Sequence, residues 1–253
     1  MELLLTNDDG IDAPGLAALV QAVGDLASFQ VVAPREVQSG TSHSMMDRSP
    51  LRVSARAMRG MRTAHAVEGR PADCTRLGLR HYAPSADWVL SGINAGGNLG
   101  IDVYYSGTVG AAREAAILGK PAMAISQYIR DAASLDWDRS ARWAGRVIRL
   151  LTARVWPAGR FLNVNLPQTE EETFPPVKWV PLAVDPHNVS YERSEQPDAI
   201  SVFRYRGRYR DRPSPAGTDV HAVFSGSISI TPLQLDATDV ELLQSAGASS
   251  PSA

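Results

Sequence analysis

The sequence predicts an α/β fold: a Rossmann-like, doubly wound, mostly parallel sheet with a C-terminal antiparallel β-hairpin arm. Three observations carry that expectation. Short apolar runs without alternation recur up to about residue 169, as strands buried on both faces require. Stretches with apolar residues at helical spacing separate them. Beyond that point the rhythm gives way to alternating segments, as in an exposed antiparallel arm.

Residues 3–5 (LLL) form the first strand, and Asn7-Asp8-Asp9-Gly10 ends it with turn chemistry. Pro14 opens a helix whose Leu16, Leu19, Val20, Val23, Leu26 and Ala27 share one face. Residues 29–33 (FQVVA), stopped by Pro34, complete a segment of βαβ size. Pro71 opens a helix to Tyr82, residues 88–90 make a strand, and a helix from Ser106 to Leu118 is closed by Gly119. Residues 121–126 (PAMAIS) are the next strand. Trp137, Ala141, Ala144, Ile148, Leu151 and Val155 lie on one helical face beside Val147, and residues 161–166 (FLNVNL) return to strand.

After the acidic run 170–172 come many prolines and alternating segments around 200–205 and 222–231, with no helix expected between them. The expected organisation is one domain over 1–243. Its core runs to about 180, a hairpin and oligomerisation arm follows over 181–243, and residues 244–253 form a disordered tail.

The chain has 253 residues, 44% hydrophobic and 21% charged, a soluble globular balance with room for a large core. A formal net charge of -2 excludes a global basic field for nucleic acid or an anionic membrane and favours small substrates. Cys74 is the single cysteine, which excludes an intramolecular disulfide framework and a cysteine-based zinc cluster and fits a reducing compartment. The N-terminus reaches acidic residues before a signal peptide could form, and no run approaches 18 apolar residues, so the expected location is cytoplasmic.

Ligands of open α/β sheets sit at the carboxyl ends of strands, so the residues just after each apolar run matter most. After the first strand come Asp8 and Asp9, after the second Ser39 and Gly40, and after residues 88–90 Ser91, Gly92, Ile93 and Asn94. Adjacent carboxylates repel when both are ionised, and a divalent cation offsets that repulsion. Asp, Asp, Ser and Asn supply hard oxygen donors suited to Mg²⁺, Mn²⁺ or Ca²⁺ rather than zinc, and the five histidines are scattered without HExxH spacing. A polar turn capping a helix explains Asp8-Asp9-Gly10 equally well in isolation; convergence with Ser39 and Asn94 favours the metal reading.

A second constellation runs from Asn94 through the glycine-rich residues 95–100 to Tyr105-Ser106-Gly107-Thr108-Val109-Gly110 at a helix start. Exposed amides there suit phosphate, although close helix packing also calls for such small residues. Neither a G-x-G-x-x-G fingerprint nor a Walker A loop is present. The stretch 203–212 interleaves arginines with aromatics. Extended, it puts Arg204, Arg206, Arg208, Arg210 and Arg212 on one face and Phe203, Tyr205 and Tyr209 on the other, which favours an exposed hairpin or subunit contact over single-stranded nucleic acid binding.

Together LLTNDDG with Ala13-Pro14-Gly15, VAP followed by QSG, SGIN-A-G-G-N-L-G and YSGTV resemble the SurE family (survival protein E, 5'/3'-nucleotidases). Gly69, Pro71, Asp73 and Cys74, the triplet 217–219 and residues 229–233 (SITPL) extend the resemblance over most of the chain. It implies a phosphomonoesterase acting on nucleoside 5'-monophosphates, with 3'-monophosphates also within the family's range. One divalent ion per subunit, Mg²⁺ or Mn²⁺ foremost with Ca²⁺ also fitting, would be held by Asp8, Asp9, Ser39 and Asn94. Phosphate contacts would come from Asn98, Ser106, Gly107 and Thr108, and the catalytic residues would be Asp8, Asp9 and Asn98. The resemblance further implies a homodimer or homotetramer joined through the C-terminal arm, with no membrane and no stable nucleic-acid complex. Arg70 and Met46 depart from the family, each standing where a threonine is usual. Two other readings stand beside water attack: an aspartyl-phosphate mechanism, disfavoured because the carboxylates are adjacent rather than in D-x-D, and a non-catalytic nucleotide or RNA binder.

Overall fold

The computed structural model describes residues 1–58, 61–186, 188–196 and 200–248. In chain order the elements are β1 (Glu2–Thr6), α1 (Pro14–Val23), β2 (Ser28–Pro34), β3 (Val53–Met58), β4 (Met61–Val67), α2 (Pro71–Leu77) continued by a π-helical turn (Gly78–Tyr82), and β5 (Trp88–Ala95). There follow a 3-10 turn (Gly100–Tyr104), α3 (Gly107–Ile117), β6 (Ala122–Gln127), α4 (Trp137–Thr152), β7 (Arg160–Leu166) and β8 (Val177–Trp179). The last are β9 (Tyr191–Gln196), β10 (Ile200–Tyr205), α5 (Asp219–Phe224), β11 (Ile228–Gln234) and α6 (Val240–Ala248).

Among the described residues the main sheet has nine strands in the order β3-β4-β2-β1-β5-β6-β7-β11-β8, and β9 and β10 form a separate antiparallel pair. The contiguous block β4-β2-β1-β5-β6-β7 is parallel. From β1 the chain winds outward through β2 to β4, then returns to β5 on the other side of β1 and continues to β7. The winding therefore reverses between β1 and β5, where an open sheet splays its connecting loops apart. This is the predicted doubly wound α/β fold with its antiparallel hairpin.

Each face of the sheet is covered by two helices. The apolar stripe of α1, Leu16, Leu19, Val20 and Val23, packs with Ala144, Val147, Ile148 and Leu151 of α4 over Leu3, Leu5, Leu90, Met123 and Ile125. Cys74 of α2 and Val109, Ala112 and Ala115 of α3 cover Leu4, Val32, Val89 and Ala124 on the opposite face. Leu4 alternates with Leu3 and Leu5 because successive strand residues face opposite ways, which is why the run 3–5 had to be apolar throughout.

Several boundaries differ from expectation. α1 stops at Val23, so Leu26 and Ala27 pack against the core from the connecting turn. α4 stops at Thr152, where Trp156 Nε1 donates to the carbonyl of Leu151 (3.0 Å) and satisfies a helix-end acceptor; Val155, expected on the buried face, is fully exposed. The strands β3 and β4 were not foreseen; β3 is a mostly exposed edge strand.

The division into a core to 180 and an arm from 181 is also corrected. Only β9 and β10 stand apart; α5, N-capped by Thr218, and β11, which buries Ile228 and Ile230, return to the core. The arginine-aromatic stretch is extended only to Tyr205, after which Tyr209–Asp211 forms a 3-10 turn, so its five arginines do not share one face. Of the expected disordered tail, residues 244–248 belong to α6 and 249–253 lie outside the described residues.

Close packing of α1 onto β5 depends on Gly15, where a Cβ would lie 1.9 Å from the Ile93 carbonyl oxygen. Gly15→Ala is expected to destabilise the protein by about 2–3 kcal/mol. Gly24→Ala, at a right-handed helical position where the added Cβ meets nothing nearer than 3.6 Å, is expected to be neutral or stabilising by up to about 1 kcal/mol. Urea unfolding of both variants checks the pair; equal effects would remove the packing argument.

Candidate active site

The site is built at the carboxyl ends of β1, β2 and β5. Asn7 shapes the first loop by donating from Nδ2 to the Gly10 carbonyl (2.8 Å). The resulting turn buries Asp8, 4% exposed, and leaves Asp9 half-buried. The Asp8 carbonyl accepts the Gln38 amide (2.7 Å), which brings the exposed Ser39 loop alongside. Asp9 Oδ2 accepts the Ala95 amide (2.8 Å), which does the same for Asn94 at the end of β5.

The start of α3 closes on Asp8 from the other side. Ser106 caps the helix, its Oγ accepting the Val109 amide (3.0 Å), and the Thr108 hydroxyl donates to Asp8 Oδ1 (2.5 Å). A Cβ on Gly107 would stand 2.9 Å from both Cβ and Oδ2 of Asp8, so glycine is what lets the helix come this close. Gly107 and Thr108 occupy the first two helical positions, where amides lack intrahelical acceptors and the helix end is positive. A Cβ there would also lie 3.2 Å from Cγ of Pro71, which places the α2 N-terminus at the same spot.

Burial pushes the Asp8 carboxyl up to about 6; the Thr108 hydrogen bond opposes this shift and the neighbouring Asp9 reinforces it. Asp9 is also raised by burial, against the opposing Ala95 amide. Among the described residues neither carboxylate enters an ion pair. Among the described residues Oδ1 of Asp9 has no hydrogen-bond partner, while the Asp8 carboxylate takes the Thr108 hydroxyl on Oδ1 and is also favoured in its charged form by the Thr108 amide. Asn94 turns its Nδ2 onto the Gly96 carbonyl (2.7 Å), and among the described residues its Oδ1 has no partner.

This donor set fits a hard divalent cation, since it offers carboxylate and neutral oxygens and, among the described residues, no cation paired with either carboxylate. No group of three or more His, Cys, Asp and Glu side chains among the described residues is placed to hold a metal, so the neutral oxygens of Ser39 and Asn94 would be needed beside the two carboxylates.

Asn98 is held differently from the other predicted phosphate residues. It is buried, donates from Nδ2 to Ser126 Oγ (2.8 Å), and has its backbone amide on Asn165 Oδ1 (2.8 Å) and its carbonyl on Asn163 Nδ2 (2.8 Å). Among the described residues no hydrogen bond joins it to Ser106, Gly107 or Thr108.

Sequence reasoning passed over Ser126, Asn163 and Asn165, although two asparagines at alternate positions of an apolar strand share one sheet face and were a legible signal. It also missed a clamp on the glycine-rich loop. The Tyr209 hydroxyl lies 2.7 Å from the Gly97 carbonyl and 2.9 Å from Asp102 Oδ2, and Arg212 Nη1 bonds Asp102 Oδ2 (2.7 Å) and the Leu99 carbonyl (3.1 Å). Asp219, in the late triplet, accepts the amides of Gly100 (2.7 Å) and Ala183 (2.9 Å).

The Asp8 shift has a stability consequence of definite sign. The folded chain holds this proton more tightly than the unfolded chain, so the contribution is fully present below about pH 3.8 and is lost as pH rises through about 6. In metal-free buffer at pH 7.5, Asp8→Asn is expected to exceed the native chain in stability by roughly 1–3 kcal/mol, with the advantage shrinking toward pH 4. Urea unfolding across that range measures it, and a variant less stable at pH 7.5 would contradict the assigned cost.

The family model described as Survival protein SurE matches residues 3–188, a span that contains every predicted site residue. A putative 5'-nucleotidase from Synechocystis is 44% identical over 236 residues, covering 93% of this chain and all of the relative. The 5'-nucleotidase SurE of Paramagnetospirillum magneticum is 39% identical, covering 97% of this chain and 95% of its own length. The crystal structure of the SurE protein from Aquifex aeolicus superposes with a TM-score of 0.87 at 32% identity, covering 98% of this chain and 99% of that one. With the doubly wound sheet and the paired carboxylates at its reversal point, these matches establish that the chain belongs to the SurE family.

Proposed function

We propose that this chain hydrolyses nucleoside monophosphates, 5'-monophosphates foremost, at the Asp8–Asp9 site with the help of a divalent cation. The observation that carries this reading is the shared location of two carboxylates, without an ion-pair partner among the described residues, and an anion-binding helix start, joined by the Thr108–Asp8 hydrogen bond (2.5 Å). Like charges gathered with no ion-paired cation among the described residues call for a positive ion when a phosphate arrives. The names of the relatives, 5'-nucleotidase SurE among them, agree with that chemistry.

When bound by Asp8, Asp9, Ser39 and Asn94, a divalent ion supplies Lewis acidity and neutralises the carboxylates and the phosphate. The amides of Gly107 and Thr108 bind phosphoryl oxygens at the positive end of α3, where in-line displacement gathers charge. The Thr108 hydroxyl is already engaged by Asp8, so its part is to orient that carboxylate. Asp9, the more exposed of the pair, is placed to accept a proton from an attacking water. Asn98 acts by fixing the loop that leads into α3.

Phosphate release from a panel of nucleoside monophosphates, with Mg²⁺ or Mn²⁺ and with EDTA, tests the reading. Activity is expected to vanish in EDTA, to return with Mn²⁺ or Mg²⁺, and to fall at least about 100-fold in Asp8→Asn. Added metal is also expected to raise the melting temperature of the native chain but not of that variant. Unchanged turnover in EDTA would sink the metal assignment.

The hairpin of β9 and β10 is proposed as a subunit contact, because Tyr191, Ile200, Phe203 and Tyr205 are each more than half exposed on it. Light scattering is expected to give two or four times the 27.2 kDa chain mass, and the double change Ile200→Ser with Phe203→Ser to give monomers. A native chain that is already monomeric would remove the assembly role.

A further inference from the structure

Beside the Asp8 site lies a second concavity, at the carboxyl ends of β2 and β4. It has a volume of about 380 Å³, within the range of small-ligand pockets, and its rim carries Arg35, Glu36, Gln38, Met46, Glu68 and Arg70. Two contacts connect it to the phosphate end. Gln38 donates its amide to the Asp8 carbonyl, and Pro71, next to Arg70, lies against the place where Gly107 meets Asp8. A phosphate held at α3 therefore has this cavity as a neighbour.

The walls are fixed. The buried Asp73 carboxylate accepts the amides of Met46 (3.1 Å) and Arg70 (2.9 Å), tying both sides of the cavity to α2. Glu68 is paired with Arg35 at 2.7 Å. Arg70 is different: its Nη1 donates to Gln38 Oε1, and among the described residues its other guanidinium nitrogens have no partner and no carboxylate pairs with it. The guanidinium therefore keeps unused donors while half-buried at the edge of a cavity.

Charge decides what those donors await. Counting Arg52, 3.7 Å from Glu68, and Asp73 in the wall, three arginines are balanced by three carboxylates, so the cavity has no net positive field for a second phosphate and suits a neutral group rich in hydrogen-bond acceptors. A guanidinium fork matches the paired O6 and N7 acceptors of a 6-oxopurine, whereas adenine and cytosine present an amino donor at the equivalent edge. Resting on the nucleotidase reading, we propose that this cavity holds the nucleoside part of the substrate and that Arg70 selects guanine and hypoxanthine over adenine. Arg70 is then a specificity-determining residue rather than part of the phosphate chemistry.

Free nucleosides test the pocket apart from the reaction. Calorimetric or NMR titration of inosine, guanosine and adenosine into the full chain is expected to show inosine and guanosine binding about tenfold more tightly than adenosine. In Arg70→Thr that ratio is expected to fall close to one. Arg70→Lys should recover little of it, because an ammonium lacks the planar fork. Equal affinities in the native chain, no saturation by any nucleoside, or an Arg70→Thr variant that weakens all three equally would overturn the proposal; the last would mean that Arg70 merely steadies Gln38. Selective inosine binding without phosphate release from any nucleotide would defeat the proposed activity and leave the pocket standing, while hydrolysis with no base preference would do the reverse.

Discussion

Taking a carboxylate out of water costs several kcal/mol unless donors or charges replace the solvent, and Asp8 receives in exchange only a hydroxyl and the end of a helix. The rest of the site follows from that poor compensation. The first turn of α3 must reach Asp8, which requires glycine at 107, a cap at Ser106 and a loop from β5 that arrives in register. The loop must in turn be held from beneath, and Ser126, Asn163 and Asn165 hold it through Asn98. Burial without a paired cation is what displaces this carboxyl to a pKa of about 6.

The polar layer under the loop is unusual for a sheet interior. Asn94, Ser126, Asn165 and Ser229 pair in register across β5, β6, β7 and β11, so one row of the sheet face is polar from the candidate metal residue to the far side of β7. Part of this layer is unsatisfied: Ser91 Oγ, Asn163 Oδ1 and Ser229 Oγ are buried without a partner among the described residues, as are Thr6 Oγ1 and Asn7 Oδ1 at the end of β1. Those within strands lie on the α2–α3 side of the sheet, below the candidate site, and not in the apolar core between α1 and α4.

Much of the architecture was legible because strands buried on both faces cannot hide in a sequence. Leu3, Leu4 and Leu5 announce β1, and the stripe of α1 gives its face, though not its last turn. The Asp8, Asp9, Ser39 and Asn94 set was legible for a related reason: strand ends are easy to find, and short oxygen-bearing residues followed each of three neighbouring ones. Side-chain partners across long separations were not legible. Nothing local links Thr108 to Asp8, Tyr209 to Gly97 or Asp219 to Gly100, since each pair is joined by about a hundred residues or more of intervening chain. β3 escaped because an exposed edge strand needs no pattern. α5 escaped, and β11, whose start falls in the alternating segment expected at 222–231, was assigned to the arm, because a six-residue helix and a single strand separated from the core by the hairpin resemble arm sequence until Ile228 and Ile230 are seen buried.

The position of β11 has a consequence for how the molecule comes into being. It lies between β7 and β8, antiparallel to the first and parallel to the second, with Ser229 opposite Asn165. During synthesis β7 therefore waits as an open edge, its hydrogen-bonding groups unpaired on one side, until residues 228–234 exist. Slow pairing of distant segments of this kind leaves a nascent chain open to association with its neighbours. The hairpin, proposed above as a subunit contact, emerges in that interval, before the strand that closes the sheet.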